Sequence, residues 1–236
     1  MAAPVDDVPA RALAVYAHPD DPEVSCGGTI ARWAAAGCEV HVVICAAGDK
    51  GSSDPAVRPE ELAARRAIEV QAAAAVLGVA GHHLLGLPDG EVENTVALRA
   101  RLVELVRRIR PVVVVCPDPT AAFFGSSYFN HRDHRETGWA TLDAVAPAAA
   151  NPQYFRDAGP PHQVDAVYLS GTLDPDLWVE ITATIEAKAR ALLCHASQLG
   201  ETAEWLRQVV HQRAEEGGKV AGVPYAEGFR ILRLAG

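Results

Sequence analysis

The sequence lacks the features that mark membrane-spanning, nucleic-acid-binding and dinucleotide-binding proteins. No apolar stretch approaches the ~20 residues that a helix needs to cross a bilayer. The 21 basic residues are outnumbered by 30 acidic ones, which gives a formal net charge of −9. Because non-specific binding to nucleic acid depends on neutralising phosphates, this balance argues against such a partner. The glycine fingerprint G-x-G-x-x-G is also absent.

Cysteines are few and show no pattern. The chain has an odd number of them, scattered and without C-x-x-C spacing: Cys26, Cys38, Cys45, Cys116 and Cys194. Several lie in apolar runs, so we expect buried free thiols rather than a disulfide framework. The stretch Met1 to Asp7 holds two acids and no basic residue, so a secretory signal is not expected. Both features favour a reducing cytoplasm.

What is present is the composition of an ordinary globular protein, with 236 residues, 49% hydrophobic and 22% charged. Apolar runs such as Glu39–Cys45 and Val112–Cys116 are typical of buried strands. They alternate with amphipathic segments such as Pro59–Leu77 and Val96–Ile109, which are typical of helices. The alternation predicts an α/β fold, with a doubly wound, mostly parallel sheet flanked by helices. We expect a single domain over residues 1–236.

Three further segments have less regular patterns. Val24 to Ala36 suits a helix that opens near Gly27-Gly28. The stretch Pro117 to Asn130 is predicted as a loop, and loops of this length inside compact domains are usually functional or disordered. The apolar run Phe229 to Leu234 is predicted as a final strand at the edge of the sheet.

The most informative stretch is Ala17-His18-Pro19-Asp20-Asp21, which directly follows the apolar run Leu13–Tyr16. The run is typical of a buried strand, which Pro19 ends. In open α/β sheets, sites form outside the carboxyl ends of the strands. An imidazole and a carboxylate are competent Zn²⁺ ligands, so His18 and Asp21 are candidate ligands of one metal, with Asp20 free for proton transfer. The alternative is a plain turn in which an aspartate caps the next helix.

A second cluster, His131-Arg132-Asp133-His134, follows another predicted strand and its loop. On a helix, residues three apart share a face, and Asp133 can orient an imidazole from behind. Because both clusters are expected at the same edge of the sheet, they predict a shared metal with three protein ligands and one open position. The alternative is a solvated helix start that Asn130 caps.

Taken as a set, these motifs resemble a known family. Ala-His-Pro-Asp-Asp, then Gly27-Gly28-Thr29, then His131-Arg132-Asp133-His134-Arg135 with Gly138 are similar to the PIG-L/LmbE-like zinc-dependent N-acetylglucosaminyl de-N-acetylases. Weaker similarity in Gly86–Gly90 and Lys188–Gln198 extends the resemblance over most of the chain. It implies a Rossmann-like fold in one de-N-acetylase-like domain.

The resemblance also implies a role for each motif residue. Three residues would hold one Zn²⁺ per chain: His18, Asp21 and His134. Asp20 would be the general base, and His131 would stabilise the oxyanion. The sequence leaves open whether His131 or Asp20 protonates the leaving amine. Two departures from the family pattern stand out: Pro22 precedes Glu23, and Arg132 stands where proline is common.

Two more residues are expected to contact sugar hydroxyls by family analogy, Arg66 and Asp89. For Arg66 the alternative is an ion pair with Glu69, three residues further along the same helix. For Asp89 the alternative is an ordinary turn residue within Pro-Asp-Gly.

The expected function is a zinc-dependent hydrolase that removes the N-acetyl group from an N-acetylated amino sugar or glycoconjugate. Its partner would be that small molecule, and association of copies into a homo-oligomer stays open. Two alternatives remain: an amidase of a thiol–sugar conjugate, and a non-catalytic metal-binding Rossmann-like module.

Overall fold

The computed structural model describes residues 4–234; the predicted domain's residues 1–3 and 235–236 lie outside this range. Its strands are β1 (Arg11–Tyr16), β2 (Glu39–Ala46), β3 (Gly81–Leu87), β4 (Val113–Pro117), β5 (Phe123–Phe124), β6 (Tyr128–Phe129), β7 (Ala166–Ser170), β8 (Leu177–Glu180) and β9 (Ala226–Arg233). Its α-helices are α1 (Asp21–Ala35), α2 (Pro59–Leu77), α3 (Val96–Ile109), α4 (Arg132–Asp143), α5 (Ile185–Leu192), α6 (Ala196–Leu199) and α7 (Ala203–Ala221). A wide helical turn at Ala144–Ala149 follows α4, and a 3-10 turn at Gly200–Thr202 precedes α7.

The central sheet has seven strands in the order β3-β2-β1-β4-β7-β9-β8. The first five run parallel, and β9 is antiparallel to both of its neighbours. Helices cover both faces, which is why all five residues of β4 are buried. The predicted α/β architecture, a mostly parallel sheet flanked by helices, is confirmed.

Alternate residues of β1 enter two separate core layers. Ala12, Ala14 and Tyr16 pack on the face covered by α1, α2 and α5, where Trp33 and Ile185 also lie. Leu13 and Val15 pack on the opposite face, with the apolar side of α3 and with Ala140 of α4. This alternation is the period of two that a strand imposes on its side chains.

The predicted edge strand at the end of the chain is wrong in its position. That segment forms β9, which lies between β7 and β8, so Phe229 is fully buried. The four-residue β8 takes the edge instead. A run of apolar residues indicates a strand but does not say which strands flank it. The predicted loop Pro117 to Asn130 also contains a short hairpin, formed by β5 and β6.

Helix α1 is two helical pieces joined at a break. It begins at Asp21 rather than Val24, and Cys26 has non-helical angles of φ −144° and ψ 22°. The break frees the backbone N–H groups of Gly28 and Thr29, which donate to the carboxylate of Glu227 at 3.0 and 2.7 Å. The second piece therefore starts near the predicted glycine pair, and a side chain of β9 caps it.

All five cysteines are free thiols, four of them buried and Cys194 partly so. Within residues 4–234, no helix has the length and apolar character needed to cross a membrane.

Candidate metal centre and active site

The two histidine-aspartate motifs meet because the strands before them are neighbours. Strand β1 pairs with β4 in parallel, so the segments that leave their carboxyl ends emerge at the same edge of the sheet. Gly138 allows α4 to lie close to that edge, since a Cβ there would be 2.5 Å from the carbonyl oxygen of Pro117. The predicted meeting of the two motifs at one edge is what the structure contains.

The turn after β1 is strained and held from one side by Arg66. Asp20 occupies the N-cap position of α1 without a side-chain capping hydrogen bond. Its φ of 95° is a left-handed conformation that is uncommon for residues other than glycine. The buried guanidinium of Arg66 donates to the carbonyl oxygen of Pro19 at 2.5 Å and to Oδ2 of Asp20 at 3.3 Å. A third hydrogen bond, to the carbonyl oxygen of Gly48, completes the clamp.

The three predicted metal ligands converge on one point. Nδ1 of His18 lies 3.2 Å from Nε2 of His134 and 3.5 Å from Oδ2 of Asp21. Nε2 of His134 is in turn 3.2 Å from Oδ1 of Asp21. Two imidazoles and one carboxylate at these separations can hold a single metal ion.

The electrostatics of this point favour a cation. Burial alone would lower the pKa of His18, but hydrogen bonds with Asp133, Asp21 and Asp89 raise it to about 12. Burial opposes the ionisation of Asp21, yet the neighbouring His134 and His18 hold its pKa well below the usual range. Three carboxylates therefore gather around one imidazole, an arrangement that a metal ion would compensate. The residues present fit a bound divalent metal.

The carboxylate of Asp133 contacts His18 rather than His134 of its own helix. Its Oδ2 lies 3.2 Å from Nε2 of His18 and accepts the backbone N–H of Gly90 at 2.7 Å. Oδ1 of Asp89 is 3.0 Å from the same imidazole nitrogen. Nδ1 of His18 faces the other candidate ligands, and Nε2 faces the carboxylates of Asp133 and Asp89. These two carboxylates fix the orientation of the ring, as carboxylates hydrogen-bonded to metal-bound histidines commonly do. His18, His131 and Asp133 form a second group near enough to hold an ion.

Asp20 lies beside the candidate ligands without joining them. Burial and the charge of Asp21 raise its pKa to about 7, while Arg66 and His195 act in the opposite direction. Its side chain lines a cleft of about 270 Å³. A carboxylate of this kind is suited to accept a proton near neutral pH.

His131 precedes the first turn of α4 instead of sharing a helix face with His134. Its Nδ1 accepts the backbone N–H of Asp133, so its other nitrogen carries the proton when the ring is neutral. Burial and the nearby His18 lower its pKa. His131 therefore presents an N–H donor to the same cleft, and it takes the capping position that Asn130 was expected to fill.

The two candidate sugar contacts both line this cleft, but in different ways. Asp89 is 15% exposed and faces His18. Arg66 is nearly buried and engaged with Pro19 and Asp20. The alternative ion pair between Arg66 and Glu69 is wrong, because Glu69 accepts instead from Ser197, at 2.8 Å from its backbone N–H and 2.7 Å from its hydroxyl. Arg66 and Glu69 therefore each bind a residue that is distant in the sequence.

Sequence reasoning missed two contacts beside the site. Oδ1 of Asn130 lies 2.9 Å from Nδ1 of His134, on the opposite side of the ring from the candidate metal position. Buried His195 lies with Nε2 3.2 Å from Oε2 of Glu23, which follows the unusual Pro22. The contact of Asn130 could have been suspected, because Asn130 directly precedes the second motif. No signal in the sequence indicated the contact between His195 and Glu23, which are 172 positions apart.

Residues 13–145 match the family described as PIG-L, GlcNAc-PI de-N-acetylase. The chain belongs to this family. The resemblance inferred from the motifs is thereby confirmed, and the match includes both histidine-aspartate motifs.

Two relatives and one solved structure place the chain more closely within this de-N-acetylase family. It is 35% identical to the diacetylchitobiose deacetylase of Thermococcus kodakarensis, over 97% of this chain and 85% of that protein. It is 30% identical to the 1D-myo-inositol 2-acetamido-2-deoxy-alpha-D-glucopyranoside deacetylase of Rhodococcus jostii, over 80% and 82%. The N,N′-diacetylchitobiose deacetylase structure from Pyrococcus horikoshii superposes with a TM-score of 0.88 and 30% identity, over 97% and 88% of the two chains. These are named as deacetylases, which are amide hydrolases, so the prediction of an enzyme is confirmed.

Proposed function

We propose that this protein is a metal-dependent hydrolase that removes the N-acetyl group from an N-acetylglucosamine-type sugar. One observation carries the proposal: His18, Asp21 and His134 converge beside Asp20, in a chain that is 35% identical over 97% of its length to a diacetylchitobiose deacetylase. The substrate named for that relative makes a short N-acetylated oligosaccharide or glycoside the substrate class for this chain.

The metal we infer is one Zn²⁺, held by His18, Asp21 and His134. Two imidazoles and a carboxylate are the donor types of catalytic zinc sites, in which three protein ligands leave a position open. When bound, such an ion acidifies water and polarises a carbonyl oxygen. Asp133 and Asp89 hold the His18 ring from behind, which keeps its Nδ1 directed at the shared point.

The chain's own residues then move the proton and meet the developing charge. Asp20 takes a proton from the attacking water, and a positioned base of this kind contributes roughly 10²–10⁴-fold. His131 donates its N–H to the oxygen of the tetrahedral intermediate. The leaving amine needs a proton, and the one gained by Asp20 balances the reaction when it is returned to the nitrogen.

Two further roles follow from the contacts at the cleft. Asp89 lines the cleft and is 15% exposed, against 4% for Arg66, so it is our candidate contact to a sugar hydroxyl. Arg66 acts chiefly by holding Pro19 and Asp20, because its guanidinium has little exposure left for a substrate. Five free thiols support a cytoplasmic location, where cysteines stay reduced.

Release of primary amine, detected with fluorescamine, tests the proposal. The panel contains N-acetylglucosamine, N,N′-diacetylchitobiose, an N-acetylglucosaminyl inositol and, for the amidase alternative, an N-cysteinyl glucosamine conjugate. We expect release from the N-acetyl sugars that a chelator abolishes and Zn²⁺ restores. Asp20→Asn should lower kcat by at least roughly 10²-fold with metal still bound, while the exposed-loop control Asp54→Asn retains activity. Release from none of the sugars, or undiminished turnover by the Asp20 variant, would contradict it.

A further inference from the structure

The first turn of α1, residues 21–25, is a short helical piece that needs support from other parts of the fold. The non-helical angles of Cys26 separate it from the rest of the helix. Isolated helices shorter than about 12 residues are marginal in water. Asp20, which directly precedes this turn, has a left-handed φ of 95°, and such a conformation persists only when surrounding contacts impose it. Contacts from other elements must therefore fix the position of Asp20 and of the first turn.

Three side chains from outside α1 hold this turn. Arg66 of α2 binds the backbone and the carboxylate that come just before it. Lys188 of α5 donates to the carbonyl oxygen of Val24 at 2.9 Å, near the end of the turn. Between these two contacts, Nε2 of His195 lies 3.2 Å from Oε2 of Glu23. The pair of His195 and Glu23 thus reaches the middle of the turn.

His195 and Glu23 depend on each other because both are withdrawn from water. Their side chains are 0% and 6% exposed. Within residues 4–234, neither ring nitrogen of His195 forms an aligned hydrogen bond, so the carboxylate of Glu23 is the group that compensates the ring. Burial lowers the pKa of His195, but the neighbouring carboxylates, that of Glu23 above all, raise it above its ordinary value. Removing either side chain would leave the other buried without its partner.

The backbone around His195 is itself anchored to two helices. The N–H of His195 donates to the carbonyl oxygen of Leu192, at the end of α5, at 3.1 Å. Two residues further on, Ser197 donates to buried Glu69 of α2, at 2.8 Å from its backbone N–H and 2.7 Å from its hydroxyl. The ring of His195 therefore has a fixed position from which to orient the first turn of α1.

We propose that His195 is a positioning residue, which acts through Glu23 to hold the first turn of α1 in its working orientation. The inference rests on the proposed function, in which Asp20 is the base and Asp21 a metal ligand. Without the buried pair the turn can rotate, and Asp20 is no longer aimed at the attacking water. The candidate sugar contact Asp89 lies on a different segment, so the loss falls on kcat and not on KM.

Kinetics at saturating Zn²⁺ test this assignment, with the N-acetyl sugar that the wild-type enzyme deacetylates fastest. His195→Leu should lower kcat about ten- to hundredfold with KM nearly unchanged, because a misplacement of about 1 Å can cost a hundredfold in rate. His195→Gln should recover most of this loss, since its amide N–H can again donate to Glu23. Thr95→Ala is the control for lost stability: it removes the side-chain cap of α3 and should keep kcat.

Glu23→Leu breaks the same pair from its other side and should reproduce the fall in kcat, which keeps the test open if His195→Leu does not fold. The double variant Glu23→Leu/His195→Leu should lose no more kcat than the larger single loss, because the two side chains act as one unit. Losses that multiply, an unchanged kcat in the single variants, or no recovery in His195→Gln would overturn the assignment.

If none of the sugars releases an amine, the proposed function has failed instead. Affinity for Zn²⁺, measured by competition with a chromogenic chelator, then tests His195 separately, because Asp21 lies on the turn that His195 holds. His195→Leu should bind Zn²⁺ at least about tenfold more weakly than the wild type, whereas His195→Gln and Thr95→Ala should bind it nearly as tightly. Equal affinity of the wild type and His195→Leu would refute the inference.

Discussion

The side-chain oxygen of Asn130 lies 2.9 Å from Nδ1 of His134, while Nε2 of the same ring faces Asp21 at 3.2 Å. The amide of Asn130 donates in turn to the carbonyl oxygen of Ala121, and the residue is 6% exposed. Asn130 thus fixes both the tautomer and the direction of a candidate metal ligand: Nδ1 carries the proton and Nε2 is left for the ion.

Asn130→Ala should therefore lower metal affinity by about 10–100-fold, the usual effect of losing such a contact. Competition with a chromogenic chelator measures this without reference to activity. Asn94→Ala is the matched control, because the Asn94 amide binds Asp143 on the surface instead of a candidate ligand. Unchanged affinity in the Asn130 variant would show that His134 does not depend on this contact.

The buried pair of Lys188 and Glu227 joins the second piece of α1 to α5 and β9. Its atoms are 2.6 Å apart, and the carboxylate also accepts the N–H groups of Gly28 and Thr29. Removing one partner leaves the other charge buried and uncompensated. We expect Glu227→Gln or Lys188→Met alone to reduce the free energy of unfolding by about 3–5 kcal/mol.

The double variant Lys188→Met/Glu227→Gln should lose less than the sum of the single losses, because neither charge is then left alone. Urea denaturation of the four proteins gives the coupling, with the exposed Glu216→Gln as the control for charge. Simple additivity would mean that the two side chains do not stabilise each other.

His83 lies on the edge strand β3, and we expect it to make the folded protein less stable in mild acid. Burial lowers its pKa below the ordinary 6.5, and His41, Arg108 and His82 lower it further. Nε2 of His83 lies 3.4 Å from Nδ1 of His41, whose other nitrogen contacts Glu39 at 3.1 Å. Protonation of His83 in the folded state is therefore resisted by its neighbours.

Acidification is expected to destabilise the folded protein through His83. With a lowered pKa in the folded state, the unfolded chain binds more protons as the pH falls below 6.5, so stability is lost on acidification until the folded pKa is passed. His83→Gln should flatten the dependence of the unfolding free energy between about pH 7 and pH 5. His162→Gln, whose ring contacts the carbonyl oxygen of Pro111 and not His83, serves as control. An unchanged slope in the His83 variant would refute the prediction.

Local patterns were enough to locate the candidate site. The run Leu13–Tyr16 and the run Val112–Cys116 both read as buried parallel strands, and the polar clusters follow their carboxyl ends. Parallel strands in one sheet present those ends at the same edge, so the closeness of His18 to His134 follows from the topology. That is why two motifs 116 positions apart could be assigned to one centre.

What could not be predicted depends on contacts between distant segments. Periodicity placed Arg66 and Glu69 on one helix face. It did not indicate that Arg66 would bind Pro19 and that Glu69 would bind Ser197 instead. In the same way, the apolar run around Phe229 indicated a strand without revealing that β8 pairs outside it. The choice among partners is made by tertiary packing, which a local pattern does not contain. The extent of the domain and the individual residue roles stay predictions.

The place where a metal ion binds is the most direct test of the central claim. Crystals of the Zn²⁺-loaded protein, measured on either side of the zinc absorption edge, locate the ion in an anomalous difference map. We predict one peak per chain, about 2.0–2.2 Å from Nδ1 of His18, a carboxylate oxygen of Asp21 and Nε2 of His134. A peak between His131 and Asp133 instead, or none near His134, would contradict the account.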